Sequence, residues 1–194
     1  MKNELLSKVF FNIFIGLLIT FLIGFVFSTN ESLLMLIYNP ISMIILIVAE
    51  IAIAIILPVR ITKMDATTAK MLYYAYAALT GLTFSSIFLT YELTSILWIF
   101  LATSIIFGIF AFIGKTTKID LSKLSVYLLI GIFSIVLLGI INIFLRNNTL
   151  DMATCILGII IFIGYIAYDM QKITRLSYNG IKEENIAVIG AFEL

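Results

Sequence analysis

A chain of 194 residues that is 62% hydrophobic and only 12% charged cannot build a water-soluble surface, which needs about a quarter of its residues charged. Mean hydropathy is +1.19, and the net charge of +1 offers neither a basic field for nucleic acid nor an acidic tail. One cysteine, Cys155, excludes an intramolecular disulfide.

The relevant count is therefore of apolar runs long enough to cross a bilayer, roughly 17–25 residues each. Span 1 is Val9–Phe27, 19 residues behind Lys2 and Lys8. It lacks the small-x-small cleavage site of a signal peptide and reads as a retained first helix. Span 2 is Leu33–Leu57, entered through the turn signal Asn39-Pro40, so an irregular outer end or a later start is open. Span 3 is Met71–Tyr91, span 4 Leu93–Ile113, span 5 Leu124–Leu145 and span 6 Met152–Tyr168, with the start of a seventh from about Ile186. Strand-type alternation is absent, and helices satisfy their own backbone in lipid. The expected fold is an all-α polytopic bundle forming one transmembrane domain over residues 1–194.

Cytoplasmic flanks keep positive charge during insertion. Lys2 and Lys8 precede span 1; Arg60, Lys63 and Lys70 follow span 2; Lys115, Lys118 and Lys123 follow span 4; Lys172, Arg175 and Lys182 follow span 6. Only Arg146 of the 12 basic residues falls on the other side, which predicts a cytoplasmic N-terminus. Tyr38, Tyr91 and Trp98 then cluster at the outer interface, and Tyr73, Tyr74 and Tyr168 at the inner one. In span 3, Ala77, Gly81 and Ser85 are spaced four apart, a small-residue stripe expected to let a neighbouring helix approach.

No histidine is present. This removes Ser-His and Cys-His catalysis and the commonest zinc ligand, so no enzyme, cofactor or resident metal is expected. Any response between pH 5 and 8 must come from carboxylates with raised pKa. Of 11 acids, nine lie in tails, loops, span edges or the terminal stub; Glu50 and Asp169 remain. Glu50 sits roughly 10 Å inside span 2, where a carboxylate either lines an ion path or is satisfied as the neutral acid by a hydroxyl or carbonyl of a neighbouring helix. Asp169 is placed at the cytoplasmic end of span 6, where the helix C-terminus disfavours negative charge and a cation is needed. Arg60 leaves span 2 on the same membrane face and is the expected partner; Glu50 is about 15 Å from it along the helix.

Four segments carry a family resemblance: Gly81-Leu-Thr-Phe-Ser-Ser-Ile-Phe-Leu-Thr-Tyr91, Asp120-Leu-Ser-Lys-Leu124, Gly139-Ile-Ile-Asn-Ile-Phe144 and Tyr168-Asp-Met-Gln-Lys-Ile173. From span 1 to its last residue the chain resembles the transmembrane Bax inhibitor motif family. The resemblance implies seven helices, six of them around a central one, and for bacterial members a pH-sensitive calcium leak across the inner membrane; eukaryotic members lie in endomembranes. It also implies a sensor made of two aspartates closed by an arginine. By motif, Asp169 is the first aspartate and Arg60 the arginine, and Glu50 matches an acid attributed to the ion path. The family would continue past Ile189-Gly-Ala-Phe-Glu-Leu194 into Tyr-Leu-Asp, which carries the second aspartate. The nine residues Ile186–Leu194 give about 14 Å of helix, too short to span, so the sequence is either a piece of a longer chain or a shortened member.

The leading expectation is thus a calcium or cation leak with Asp169 and Arg60 as sensor and Glu50 on the path. The alternatives are a membrane-embedded regulator that binds a protease or another membrane protein without ion flux, and a proton-coupled exchanger using the same acids.

Overall fold

The computed structural model describes residues 2–176 and 182–194. They form eight helices and one 3₁₀ turn: α1 (Lys2–Ser28), α2 (Glu31–Ile37), α3 (Pro40–Arg60), α4 (Ala66–Thr90), α5 (Leu93–Thr116), the turn Leu121–Lys123, α6 (Leu124–Leu145), α7 (Asn148–Leu176) and α8 (Glu183–Glu193). No strand occurs among the described residues. Six of the helices, α1 and α3 to α7, are long and apolar enough to cross a membrane, and the chain is a multi-pass integral membrane protein.

Two helix boundaries differ from the ends of the apolar runs. The helix of span 2 takes the later start left open above: the chain breaks at Tyr38-Asn39, because the Asn39 side chain accepts the Ser42 N–H at 2.9 Å and Pro40 occupies the first turn of α3. Residues 31–37 form the separate helix α2, capped by Asn30. The helix of span 6 continues past Tyr168: α7 runs to Leu176.

The chain divides into two compact units, Met1–Leu101 with Leu176–Glu193, and Ala102–Arg175 with Leu194. In the first unit, α1 and α4 pack along their length and α3 and α8 pack on α4. The reason lies in α4, where Ala69, Tyr73, Ala77, Gly81 and Ser85 recur every fourth residue and are all buried. Their shared face is small at its centre, so α1 comes close. A Cβ on Gly81 would lie 2.7 Å from the Thr20 carbonyl oxygen, and the Thr20 hydroxyl donates to the Ala77 carbonyl at 2.8 Å. At one end of this face the Tyr73 and Tyr74 hydroxyls donate to the backbone oxygen and the Oδ1 of Asn12, at 3.1 and 3.2 Å. At the other, the hydroxyls of Tyr38 and Ser85 meet at 3.2 Å. Leu57, Ile61, Ala69 and Tyr73 join Val188, Ile189 and Ala191 of α8 in one apolar cluster.

In the second unit, glycines again set the approach. Gly114 of α5 lies against the backbone of Ala167 in α7, Gly131 of α6 against Ile161, and Gly164 of α7 against Leu128 of α6. The α6–α7 corner is closed by Arg146 in the left-handed conformation (φ 49°), whose N–H donates to the Asn142 carbonyl at 2.7 Å. The Asn142 side chain accepts the Asn147 N–H at 2.9 Å, so this asparagine holds the turn. Elsewhere large apolar side chains point outward, as with Ile44, Val48, Ile51 and Ile55 of α3 and Phe133, Val136 and Ile140 of α6. That exposure costs nothing where the surrounding solvent is hydrocarbon.

Candidate functional site

Glu50 lies in the middle of α3, and the Thr83 hydroxyl of α4 reaches its Oε1 at 2.9 Å. The same hydroxyl is 3.3 Å from the Leu79 carbonyl. One proton cannot serve both, and the shorter contact to a carboxyl oxygen is the stronger. A threonine hydroxyl can donate to the carboxylate or accept from the acid, so the arrangement suits either protonation state. Of the two readings left open above, the geometry supplies the neighbouring-helix hydroxyl. Ala77, Gly81 and Ser85 lie one turn apart on the buried face of the same α4.

Asp169 is buried, at 7% exposure. Its expected position at a helix end is corrected, since α7 runs seven residues further, to Leu176. The helix terminus is therefore about 10 Å away, beyond the reach of the end-dipole argument, which fades within one turn. Asp169 lies between Ala167, which backs onto Gly114, and the fully packed Met170 and Ile173. Arg60 is the exposed last residue of α3, in the other unit.

Two residues that sequence reasoning missed follow Asp169. The Gln171 side-chain amide donates to the Ile119 carbonyl at 2.8 Å and accepts the Leu121 N–H at 2.9 Å, gripping the backbone of the α5–α6 loop as a neighbouring strand would. One turn on, Arg175 meets the Asp120 carboxylate at 2.8 Å and the Ser122 hydroxyl at 2.8 Å. Asp120, Leu121 and Ser122 stand in the quoted segment Asp120-Leu-Ser-Lys and Gln171 in Tyr-Asp-Met-Gln-Lys-Ile, with Arg175 two residues beyond it, and the spacing of four between Gln171 and Arg175 puts them on one face of α7. The signal was legible only as two separate motifs; their meeting is tertiary.

The electrostatics of the loops narrow the search for a proton sensor. Asp120 is held down to about 2, first by the Ser122 N–H and hydroxyl, then by Arg175. Asp65, which caps α4, is lowered by the Thr68 hydroxyl and N–H. Both therefore stay ionised throughout pH 5 to 8. Because the folded pKa of Asp120 is depressed, its contribution is complete above the unfolded value near 4 and disappears only as pH falls towards about 2. Proteolysis of the α5–α6 loop should accordingly be unchanged between pH 8 and 5, whereas Asp120→Asn should speed it at every pH; equal rates for parent and variant would mean the ion pair does not tether the loop. Among the described residues no group of three or more His, Cys, Asp or Glu is placed to hold a metal.

Sequence comparison places this geometry in a lineage. The family described as an inhibitor of apoptosis-promoting Bax1 matches residues 2–194. The chain belongs to the Bax inhibitor family. It is 37% identical over 163 residues to the inner membrane protein YbhL of Escherichia coli K12, covering 84% of this chain and 70% of the relative. It is 35% identical over 176 residues to an uncharacterized protein of Borreliella burgdorferi, covering 90% and 76%. A third relative, RP147 of Rickettsia prowazekii, is 32% identical over 153 residues, or 77% and 65%. Within this Bax inhibitor chain, the Tyr-Asp-Met-Gln-Lys-Ile motif combines the buried acid with the loop grip, so one stretch of α7 carries both Asp169 and its support.

Proposed function

We propose that this protein is a pH-responsive leak for calcium or similar cations, closed while Asp169 is ionised and opened by its protonation. The observation that carries the reading is Asp169 itself: a carboxyl group 7% exposed, within a helix long and apolar enough to span the membrane, in a chain without histidine. An ionisable side chain so placed is costly and is retained where it serves a path or a switch. The loop aspartates Asp65 and Asp120 stay ionised throughout pH 5 to 8 and so do not supply the response. Glu50 belongs to the conducting path, steadied by Thr83. No catalytic step, cofactor or resident metal enters this reading; the partners are the permeant cation and the bilayer.

Glu50→Gln should lower calcium flux into dye-loaded liposomes roughly tenfold at every pH, since it removes a carboxyl group from the path without touching the switch. A variant that instead moved the pH threshold would make Glu50 the sensor.

The likeness to an Escherichia coli inner membrane protein supports a bacterial inner membrane, and the distribution of Lys and Arg supports a cytoplasmic N-terminus. In a Cys155→Ser background, needed because Cys155 is exposed, Asn147→Cys should react with an impermeant thiol reagent added outside, and Thr117→Cys should not. The reverse pattern would invert the topology.

A further inference from the structure

The loop between α5 and α6 combines cations, an exposed apolar side chain and a backbone held from another helix. Gln171 of α7 bonds both the Ile119 carbonyl and the Leu121 N–H, and Arg175 holds Asp120 and Ser122. Fixed on that side, the loop still leaves the Ile119 side chain 72% exposed, between Lys118 and Asp120. Lys118 and Lys123 are exposed as well, and neither pairs with a carboxylate among the described residues. One turn beyond Lys123, Tyr127 of α6 is 71% exposed.

Acids are scarce here. Lys115 at the end of α5, Lys118 in the loop, Lys123 before α6, and Lys172 and Arg175 late in α7 stand with only Asp120 and Asp169. Asp169 is buried and Asp120 is engaged by Arg175, so the exposed field is cationic. The first unit differs: its cations, Lys8, Arg60, Lys63 and Lys70 among them, are interspersed with Glu4, Asp65, Glu183 and Glu184, and Lys8 bonds Glu183 at 3.0 Å. Insertion of a chain responds to Lys and Arg and is nearly indifferent to acids. It therefore accounts for the cations of both units but not for the poverty of acids in one.

An isoleucine exposed on a fixed loop is costly in water. Beside lysines and a tyrosine it suits the boundary between headgroups and acyl chains, where apolar side chains sink and cations stay with the phosphates. We propose that the α5–α6 loop binds the headgroup of an anionic phospholipid. Lys118 and Lys123 meet the phosphate, Ile119 enters the acyl boundary beside them, and the Tyr127 ring lies at headgroup level. Gln171 and Arg175 present the loop already folded, so binding need not order its backbone. Ile119 and Tyr127 beside the lysines favour a lipid over an acidic soluble partner. The lipid belongs to the leaflet this loop faces, the cytoplasmic one by the distribution of Lys and Arg. The site is independent of the leak reading, and its test measures no flux.

The chain has a single tryptophan, Trp98, which is 68% exposed near the start of α5 and about 27 Å of helix from Thr116. Trp98→Phe combined with Ile119→Trp moves the indole into the loop. Quenching by dibrominated lipids in phosphatidylcholine bilayers then reports which headgroup lies beside it. Brominated phosphatidylglycerol should compete roughly fivefold better than brominated phosphatidylcholine at the loop indole, with no preference at Trp98 of the parent. The preference should vanish with Lys118→Gln and Lys123→Gln together and survive Lys118→Arg with Lys123→Arg. It should also vanish in about 0.5 M salt, a readout that needs no lysine substitution and decides the matter should the glutamine pair fail to insert. A loop indole with no preference, a preference equal to that at Trp98, or one that salt leaves intact would overturn the proposal. So would a well-inserted glutamine pair that keeps the preference.

Discussion

Gly114→Leu is expected to disrupt the packing of the second unit, lowering the midpoint of thermal aggregation in detergent by about 10 °C. A Cβ at Gly114 would come within 2.8 Å of the Ala167 Cα and 2.9 Å of its carbonyl carbon, all backbone, so no side chain can turn aside. α5 and α7 must separate, and with no hydrophobic force between helices in lipid the lost contact is not replaced. The cost is roughly 3 kcal/mol or more. Gly81→Leu should behave likewise in the first unit, where the Thr20 carbonyl oxygen stands 2.7 Å from the added atom. Gly139→Ala is the internal control: nothing lies within 4 Å of its added Cβ, and alanine favours the helix, so stability should hold or rise. If Gly114→Leu and Gly139→Ala proved equally stable, the α5–α7 approach would not be the tight one described.

These glycines show what a sequence can carry. Gly81 was legible because its spacing from Ala77 and Ser85 marks one face of a helix, and burial of that face needs no further information. Gly114 has no such spacing, since its partner is the backbone of Ala167, which no residue type announces. The bounds of α6, Leu124–Leu145, coincide with span 5, where Lys123 and Arg146 punctuate both ends. α7 outruns span 6 because hydropathy reports the apolar run, not the helix: Asp169, Gln171 and Lys172 end the run while hydrogen bonding continues to Leu176. α3 shows the opposite case, an apolar run that crosses a helix boundary set by the Asn39 cap and Pro40, which the turn signal had allowed. Of the site, sequence singled out the acids and Arg60, but not the polar residues around them, whose spacing is unremarkable. Gln171 and Thr83 acquire meaning only from the chain segments they touch.

Asp169→Asn carries the largest functional effect. Asparagine keeps the shape and hydrogen-bonding capacity of the buried acid but cannot ionise, so a state held closed by the carboxylate is lost at every pH. The leak should be high and nearly flat from pH 5 to 8, with flux at pH 8 raised roughly tenfold or more over the parent. The sign follows from the closed state's dependence on the ionised form: raising the pH should close the parent and leave the variant open. Gln171→Leu, which frees the grip of α7 on the α5–α6 loop without altering charge, should weaken the response without abolishing it. An Asp169→Asn protein with the parental pH profile would place the sensor elsewhere.

The central claim, that this protein itself passes cations in response to protons, is tested most directly by calcium entry into dye-loaded liposomes carrying the purified chain alone, stepped from pH 8 to pH 5. The account predicts little entry at pH 8 and a reversible rise on acidification; entry no greater than in protein-free liposomes at every pH would contradict it.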